Sequence, residues 1–349
     1  MIRIKNHLKN HMITPREIVY RTLNFDNPPR PPRDMWDLPL SRWTYPGEFA
    51  ALQRDFPSDI QVISPVFQNP LREKGDPYEI GIYTDSWGCD FENIQRGVIG
   101  EVKNPPLKDW ATDRNKVHIP TEWLSMDTEL INRQCAETNR FTLMGHIPRP
   151  FEQLQFIRGT AELYMDLADP PTEMLTFLKE MRDFYCEYLM LWAKTDVDAL
   201  FFMDDWGSQK SLLISPKLWR EFFKPIYRDF AQIAHSAGKK IFMHSDGCIL
   251  DIYPDLVEIG IDALNSQIFA CPLINWSNLP GKSLFGGEID RQDLLVNGPC
   301  ARIDEAVRKV HRHLWKNGGC FAHCSFDAGS KPPFVRQVYE SWNSLFPSN

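Results

Sequence analysis

Short runs of apolar residues recur along the chain from about residue 58, and most of them are bounded by Gly, Asp or Pro. Runs of this length and setting are typical of strands buried in a parallel sheet. They lie at residues 60–63, 141–144, 199–203, 240–243, 262–265, 283–286 and 320–322. The pattern therefore predicts at least seven buried strands.

Helical patterns separate the later runs. Apolar residues recur at helical spacing over residues 172–194, 215–237 and 303–317. Another helix is predicted to begin at Thr14-Pro15, because Thr is a favoured N-cap and Pro suits the first helical position. Strands that alternate with helices in this way form βαβ units. We predict an α/β protein with a single (β/α)8 TIM barrel.

The first 140 or so residues fit this alternation less well. They contain long Pro- and Trp-rich stretches, including 83–89 and 100–107, which we predict to be insertions over the C-terminal mouth of the barrel, with a small hairpin. Residues 1–11 are basic and polar and are predicted to be frayed. No linker, low-complexity tract or repeat interrupts the rest, so residues 12–349 are predicted to form one domain.

Polar residues follow five of the predicted strands. These clusters lie at residues 204–209, 244–248, 265–267, 287–290 and 323–327. The C-terminal ends of all strands in a TIM barrel meet at one mouth, where substrates bind. The convergence of five polar clusters therefore predicts an active site there, centred on residues 244–247.

Each cluster also has a purely structural interpretation. The Asp-Gly pair at 246–247 is a common turn, because Asp bonds nearby backbone and Gly accepts a positive φ. Asp204 and Asp205 are adjacent and point to opposite sides, so at most one faces the pocket and the other can cap a helix. Asn265 and Gln267 point the same way, as substrate contacts or as amides that pack loops.

His244 and Asp246 form the sharpest candidate site. A His-x-Asp pair at a strand end places two ligands on the same side, and Cys324 from the last strand would complete a three-ligand zinc site with one open position. The alternative is a hydrogen-bonded His–Asp pair that acts on the substrate without a metal.

Composition narrows the class of partner. The net charge is -7 and no basic run appears, which argues against nucleic acid as the main partner. No stretch approaches the ~18 apolar residues of a membrane span, and the N-terminus lacks the apolar core of a signal peptide. The eight cysteines are scattered, so we predict free thiols in a reducing cytoplasm.

Several segments carry a resemblance to a known family. They are TPRE at 14–17, DSWGC at 85–89, GEV at 100–102 with PPL at 105–107, MDDWGSQKSLLISPKLWREFFKP at 203–225, KIFMHSDGCILDIYPDLVEIGIDALN at 240–265 and FGGEID at 285–290. With these segments the chain resembles the uroporphyrinogen decarboxylase superfamily, in particular its corrinoid-linked methyltransferase-like branch. The resemblance covers most of the chain from about residue 12.

The resemblance implies a (β/α)8 barrel, often a homodimer, with its site at the C-terminal mouth. In the thiol-methylating members a zinc ion is held by a His-x-Cys pair and a later Cys. The His corresponds to His244, Asp246 stands at the first Cys position, and the later Cys falls near Cys324. A carboxylate ligand makes a harder zinc, which weakens the case for a thiol substrate such as coenzyme M or homocysteine.

The resemblance also bears on the reaction. The true decarboxylases carry an Arg-rich N-terminal segment that grips the propionates of a tetrapyrrole, and residues 33–50 do not match it. The chain lacks the Asp-x-His-x-x-Gly corrinoid-binding motif, so a corrinoid would be supplied by a separate protein.

We therefore predict a cytoplasmic methyltransferase that moves a methyl group between a small organic substrate, such as a methyl ether, and a corrinoid on a partner protein, with zinc assistance. The alternative is a metal-independent decarboxylase or other lyase of the same superfamily; a barrel that only docks a corrinoid protein would not need five polar strand ends. The predicted catalytic residues are Asp204, Asp205, His244 and Asp246, and the predicted metal ligands are His244, Asp246 and Cys324. The predicted substrate contacts are Tyr83, Trp87, His146, Arg149, Trp206, Gln209, Asn265, Gln267 and Glu288. Of these, Arg149 is a candidate anion contact, and the aromatic residues have packing as their alternative role.

Overall fold

The computed structural model describes residues 13–272, 275–276, 284–286 and 288–347, the backbone alone for 284–286. The predicted fraying of residues 1–11 lies outside this part of the chain. The described strands are β1 (Arg33–Asp37), β2 (Ile60–Ile63), β3 (Gly81–Thr84), β4 (Asp90–Asn93), β5 (Glu101–Val102), β6 (Phe141–Met144), β7 (Ala199–Met203), β8 (Lys240–Ser245), β9 (Ala263–Ser266), β10 (Leu284–Gly286) and β11 (Cys320–Phe326).

Eight of these strands form the central sheet, in the order β1-β11-β10-β9-β8-β7-β6-β2, and every pair between neighbours is parallel. Strands that follow one another around the sheet also follow one another along the chain, which is the topology of a TIM barrel. The predicted fold and its seven strands are confirmed. Strand β1 was not predicted, because its sequence RDMWD is no apolar run and every residue in it is only partly buried.

Strands β1 and β2 are joined through Asp59, which is 1% exposed. The amide of Asp59 donates to the carbonyl of Arg33 (2.8 Å), and its Oδ2 accepts from the amide of Arg33 (2.7 Å). The guanidinium of Arg30 donates to both oxygens of the same carboxylate (2.6 and 2.8 Å). The carboxylate of Asp59 is thus the hydrogen-bond acceptor for the amide of Arg33, a role that a backbone carbonyl has in an ordinary ladder.

Helices connect the strands and surround the sheet. They are α1 (Pro15–Leu23), α2 (Pro39–Thr44), α3 (Pro46–Asp55), α4 (Thr128–Ala136), α5 (Pro150–Arg158), α6 (Thr160–Ala168), α7 (Thr172–Ala193), α8 (Pro216–Phe222), α9 (Lys224–Ser236), α10 (Tyr253–Glu258), α11 (Leu294–Asn297), α12 (Cys300–Leu314) and α13 (Pro332–Leu345). Thr14 caps α1 by accepting from the amide of Glu17 (3.1 Å), as predicted. The buried apolar side chains form one continuous core. No helix of the described residues is both long and apolar enough to cross a bilayer.

The long segment between β2 and β6 holds the predicted insertion. It contains the antiparallel sheet β3-β4-β5 and two short 3-10 helices, Arg114–Lys116 and Thr121–Ser125. This region is rich in turns, which explains why it lacks the strand–helix alternation of the rest.

Two cysteines depart from the prediction of free thiols. Cys248 and Cys271 form a disulfide, with their Cα atoms 5.9 Å apart. They follow the adjacent strands β8 and β9, so the barrel brings them together although they are 23 residues apart in sequence. Scattered spacing alone could not reveal this pairing.

The loops that follow β7 and β8 are held together at two glycines. The amide of Gly207 donates to the carbonyl of Asp246 (3.0 Å), and the amide of Cys248 donates to the carbonyl of Ser208 (2.8 Å). Gly247 has a φ of +75°, and a Cβ built on it would lie 2.1 Å from the carbonyl oxygen of Gly207. Only glycine allows the two backbones to lie this close.

Replacing Gly247 with alanine is expected to lower the free energy of unfolding by about 3 kcal/mol, since the added methyl group meets backbone rather than a side chain that can move. Urea denaturation measures the change. Gly238→Ala is the matched control, because Gly238 has a φ of +70° but nothing within 4 Å of its Cβ position. That variant is expected to lose only about 1 kcal/mol. Equal losses in both variants would contradict the close-contact explanation.

Candidate active site

Three ionisable side chains meet where β7 and β8 end; we call Asp205, His244 and Asp246 the His244 cluster. Nε2 of His244 lies 3.4 Å from Oδ1 of Asp246 and 3.6 Å from Oδ1 of Asp205. The amide of Asp246 also donates to Oδ1 of Asp205 (2.8 Å). One ligand atom from each residue lies within 4.8 Å of the others. Two carboxylates and an imidazole so arranged are suited to a divalent metal ion.

Neighbouring amide side chains orient this cluster. Nδ1 of His244 lies 2.8 Å from Oδ1 of Asn265, so Nδ1–H donates there and Nε2 is left facing the aspartates. The amide of Gly247 donates to Oε1 of Gln267 (3.2 Å), which supports the turn after Asp246. Asn265 and Gln267 were predicted either to contact substrate or to pack loops. They contact His244 and its loop, and Gln267 also lines a small cavity.

The cluster favours positive charge at its centre. Burial lowers the pKa of His244, but the carboxylates of Asp246, Asp205 and Glu288 outweigh it and raise the pKa to about 9. Burial raises the pKa of Asp246, but His244 and Arg291 outweigh it and hold that pKa below its usual value. A proton on His244 or a metal ion that replaces it satisfies the two aspartates.

Arg291 joins three carboxylates beside the cluster. Its Nη2 donates to Oδ2 of Asp246, its Nη1 donates to Oδ2 of Asp327 (3.0 Å), and its Nε lies 3.4 Å from Oε1 of Glu288. Oδ1 of Asp246 is buried and has no hydrogen-bond partner. Because Arg291 takes Oδ2 of Asp246, Oδ1 is the oxygen that faces Nε2 of His244, 3.4 Å away.

Strands β1 and β11 add polar groups on their inner faces. His323 is 1% exposed, and its Nδ1 lies 3.3 Å from Oδ2 of Asp34. The ring of Trp36 lies between two imidazoles, with its centroid 5.2 Å from that of His323 and 4.9 Å from that of His244. A cavity of about 610 Å³ is lined by Trp36, Arg291 and their neighbours.

Glu288, whose Oε1 lies 3.4 Å from Nε of Arg291, is 3% exposed. Burial raises the pKa of its carboxyl group, and His323 and Arg291 oppose the shift. Neither of its oxygens has a hydrogen-bond partner, and neither does Nε2 of His323. Glu288 also lines a small cavity of about 50 Å³ with Gln209 and Gln267. Glu288 and Gln209 therefore line one cavity, and their role as substrate contacts stays a prediction.

Arg149, which follows β6, affects the pKa values of a separate group of residues. Burial and the neighbouring Arg149 lower the pKa of His146 to about 4. Burial raises the pKa of Tyr83, against the effect of the same guanidinium. Burial also raises the pKa of Glu152 to about 7, with Arg149 opposing and Asp205 adding to the shift. The carboxyl group of Glu152 therefore feels the charges of both Arg149 and the His244 cluster.

Cys324 does not reach the His244 cluster. It is fully buried and follows His323 on β11, so its side chain points to the opposite face of the strand. Burial raises the pKa of its thiol far above the usual value, which disfavours the thiolate that binds metal. The one group of possible ligands among the described residues has Asp205 in place of Cys324.

Asp204, a predicted catalytic residue, is fully buried and caps a helix. Its Oδ1 accepts from the amide of Glu152 (2.8 Å), and its Oδ2 accepts from the amide of Phe151 (3.0 Å) and the hydroxyl of Tyr227 (2.5 Å). Both amides lie in the first turn of α5. Of the adjacent aspartates, the second therefore faces the pocket and the first supports the fold.

Trp87 and Trp206 pack in the core instead of lining the cavity, with exposed fractions of 1% and 0%. Trp206 stacks on Phe151, with centroids 3.9 Å apart, and its indole N–H donates to the hydroxyl of Tyr227 (3.0 Å). Trp87 lies edge-on to Phe184, with centroids 5.8 Å apart. Their packing interpretation is the one that the structure favours.

A sequence profile described as Uroporphyrinogen decarboxylase (URO-D) matches residues 77–323, well over half of the chain. The chain belongs to this family. The matched segment includes the His244 cluster, Glu288, Arg291 and His323. The family prediction is thereby confirmed, and with it the barrel fold expected of a uroporphyrinogen decarboxylase family member.

Solved structures extend the comparison. A methyltransferase from Methanosarcina mazei superposes with a TM-score of 0.64 at 12% identity, over 96% of this chain and 99% of that one. A GH113 β-1,4-mannanase gives 0.43 at 9% identity over 90% and 99% of the two chains, and a 3-keto-D-glucoside 4-epimerase from E. coli gives 0.36 at 12% over 64% and 86%. No curated protein matches by sequence. At such low identity, the similarity to the methyltransferase shows that the two proteins share a fold. The site of this uroporphyrinogen decarboxylase family member has to be argued from its own residues.

Sequence reasoning missed four residues of this site, namely Asp34, Trp36, Glu152 and Arg291. His323 lay within a predicted polar cluster but was not chosen as a site residue. The strand-end rule alone would have selected His323, because it belongs to the last polar cluster. The partners of Arg291 come from three separate loops, and no local pattern marks them.

Proposed function

We propose that this protein is a methyltransferase that uses a metal ion, with zinc as the first candidate, held by Asp205, His244 and Asp246. The observation that carries the proposal is the His244 cluster itself, at the C-terminal mouth of a barrel of this family. Its fold-level likeness to a methyltransferase supports the reaction class.

The donor atoms fit a metal ion. Ligands about 2.1 Å from a tetrahedral zinc ion lie about 3.4 Å apart. Nε2 of His244 lies 3.4 and 3.6 Å from the two aspartate oxygens. Oδ1 of Asp246 is buried without a hydrogen-bond partner, which a metal ion would satisfy.

Each surrounding residue then has a defined part. Asn265 fixes the tautomer of His244 so that Nε2 is the free ligand atom. Arg291 holds Asp246 by its other oxygen, and the Gly207–Gly247 contact keeps the loops of Asp205 and Asp246 together. A bound metal ion would act as a Lewis acid toward the leaving oxygen of the substrate.

The ligand types favour an oxygen-linked methyl group. Two carboxylates and one imidazole form a harder set than thiolates do, and hard sites prefer oxygen to sulfur. A methyl ether therefore fits better than a thiol. The proposed methyl carrier is a corrinoid on a partner protein.

The residues on and near β1 argue against the alternative of a decarboxylase that acts on a tetrapyrrole. A tetrapyrrole with several carboxylates needs cations at this rim, but the side chains there are acidic or already paired. Asp34 contacts His323, and Arg42 pairs with Asp37. Arg33 is directed away, to Asn343 (2.9 Å).

Metal analysis of the purified protein tests the proposal. We expect about one zinc ion per chain in the wild type and at least a tenfold lower content in Asp246→Ala, because the loss of one of three ligands leaves a two-ligand site. Asp251→Ala, an exposed aspartate in the same loop, is the matched control and is expected to keep the metal. A metal-free wild type, or an Asp246→Ala variant with full metal content, would refute metal-assisted transfer.

A further inference from the structure

Glu288 and His323 leave three buried polar atoms without a hydrogen bond. The two residues are 3% and 1% exposed, and the unpaired atoms are both carboxylate oxygens of Glu288 and Nε2 of His323. Buried polar atoms in proteins are nearly always paired, and exceptions concentrate where a ligand binds. We call these two residues the Glu288 subsite.

The two carboxylate oxygens of Glu288 accept hydrogen bonds when the group is ionised. An ammonium group beside them favours that ionised form and opposes the rise in the pKa of Glu288 that burial causes. Nδ1 of His323 lies 3.3 Å from the carboxylate of Asp34, so Nδ1–H donates there and Nε2 is left without a partner. A ligand group that satisfies the Glu288 subsite must therefore donate several hydrogen bonds, as an ammonium group with three N–H donors does.

The charges around the subsite call for a cation. The guanidinium of Arg291 is shared among the carboxylates of Asp246, Glu288 and Asp327, while Asp34 contacts His323. That guanidinium is 3.4 Å from Glu288 and makes no hydrogen bond to it. The aromatic ring of Trp36, next to His323, adds a surface that attracts cations.

A second metal ion fits this place less well than an ammonium group. A protein metal site needs at least three ligand atoms close together. Among the described residues, the one group of His, Cys, Asp and Glu that meets this requirement is the His244 cluster, which includes neither Glu288 nor His323.

We propose that the Glu288 subsite binds a protonated amino group, so that the substrate of the methyl transfer carries an ammonium group besides its methyl group. The statement that the amine is the substrate rests on the proposed function, but the binding of the amine does not depend on turnover. The proposal places the ammonium group against Glu288, which lines the small cavity of about 50 Å³. Arg291 lines both this cavity and the one of about 610 Å³.

Calorimetric titration with two matched probes tests the subsite. 4-Methoxybenzylamine is protonated at pH 7.5, and 4-methoxybenzyl alcohol is its neutral counterpart. The wild-type protein, loaded with zinc, is expected to bind the amine at least about tenfold more tightly, because a charge-assisted hydrogen bond to a buried carboxylate is lost in the alcohol. Equal affinity for the two probes would overturn the proposal without the use of any variant.

Variants then locate the preference. Glu288→Gln keeps the shape but removes the charge, and it is expected to abolish the preference for the amine. Glu305→Gln, an exposed glutamate on α12, is the matched control and is expected to preserve it. A preference that survives Glu288→Gln would place the amine elsewhere, for instance on the zinc ion, and would overturn the proposal. If amine binding holds and no methyl transfer occurs with a corrinoid protein, the proposed function fails while the subsite stands.

Discussion

Replacing His244 with alanine is expected to slow methyl transfer by about 10²- to 10⁴-fold. The imidazole supplies the nitrogen between two carboxylates, and it is 5% exposed, so water cannot easily replace it. Without it, Asp205 and Asp246 face each other with no cation between them. The measurement is a single turnover at saturating substrate, in which methylation of the corrinoid protein is followed by its change in absorbance.

Two further variants separate ligation from general damage. His235→Ala removes an imidazole on α9 that is paired with Asp262 at 2.8 Å, away from the mouth, and should leave the rate unchanged. Asn265→Ala keeps His244 but removes the hydrogen bond that orients its ring, so a 10- to 100-fold loss of metal affinity is expected. Added zinc is expected to restore the rate of this variant. A His244→Ala enzyme as fast as the wild type would exclude the cluster from the reaction.

Replacing Asp204 with alanine is expected to lower the free energy of unfolding by about 4 kcal/mol. The change would leave two amides at the start of α5 and the hydroxyl of Tyr227 buried without their acceptor. It would also open a space behind Trp206, which donates to the same hydroxyl. Denaturant unfolding with a check that the m-value is unchanged measures the effect.

The control for this change is Asp183→Ala. Asp183 lies on α7, is more than half exposed and pairs only with Lys179, so its loss should cost well under about 1 kcal/mol. A stable but inactive Asp204→Ala protein would instead restore the catalytic role that the sequence suggested. Stability and activity therefore give opposite answers for the two interpretations of this residue.

The barrel was predictable because its signal is repeated. Apolar runs such as Ala199–Met203 are buried on both faces, so they stand out without any knowledge of their partners. Strand β1 gives no such signal, since its residues are only half-buried and the prolines before it suggest a loop. It became visible only through its pairing with β11.

Strand ends identify the mouth of the barrel, and this rule selected Asp205, His244 and Asp246, whose side chains the fold brings together. The choice of Cys324 was off by one residue. Successive residues of a strand point to opposite faces, and His323 is the one that points to the inner face. The role of Arg291 depends on three loops that meet only in the folded chain, so no pattern within its own segment could reveal it.

The closure of the barrel at Asp59 has a consequence for how this fold can change. Ladder hydrogen bonds between strands are made by backbone groups, which every residue except proline provides whatever its side chain. Strands β1 and β2 meet partly through one carboxylate, so a single codon can strengthen or loosen the ring at this seam. Asp34 and Trp36 lie on β1 directly after Arg33, the partner of Asp59. Evolution can therefore change the shape of the mouth through Asp59, a residue outside the site.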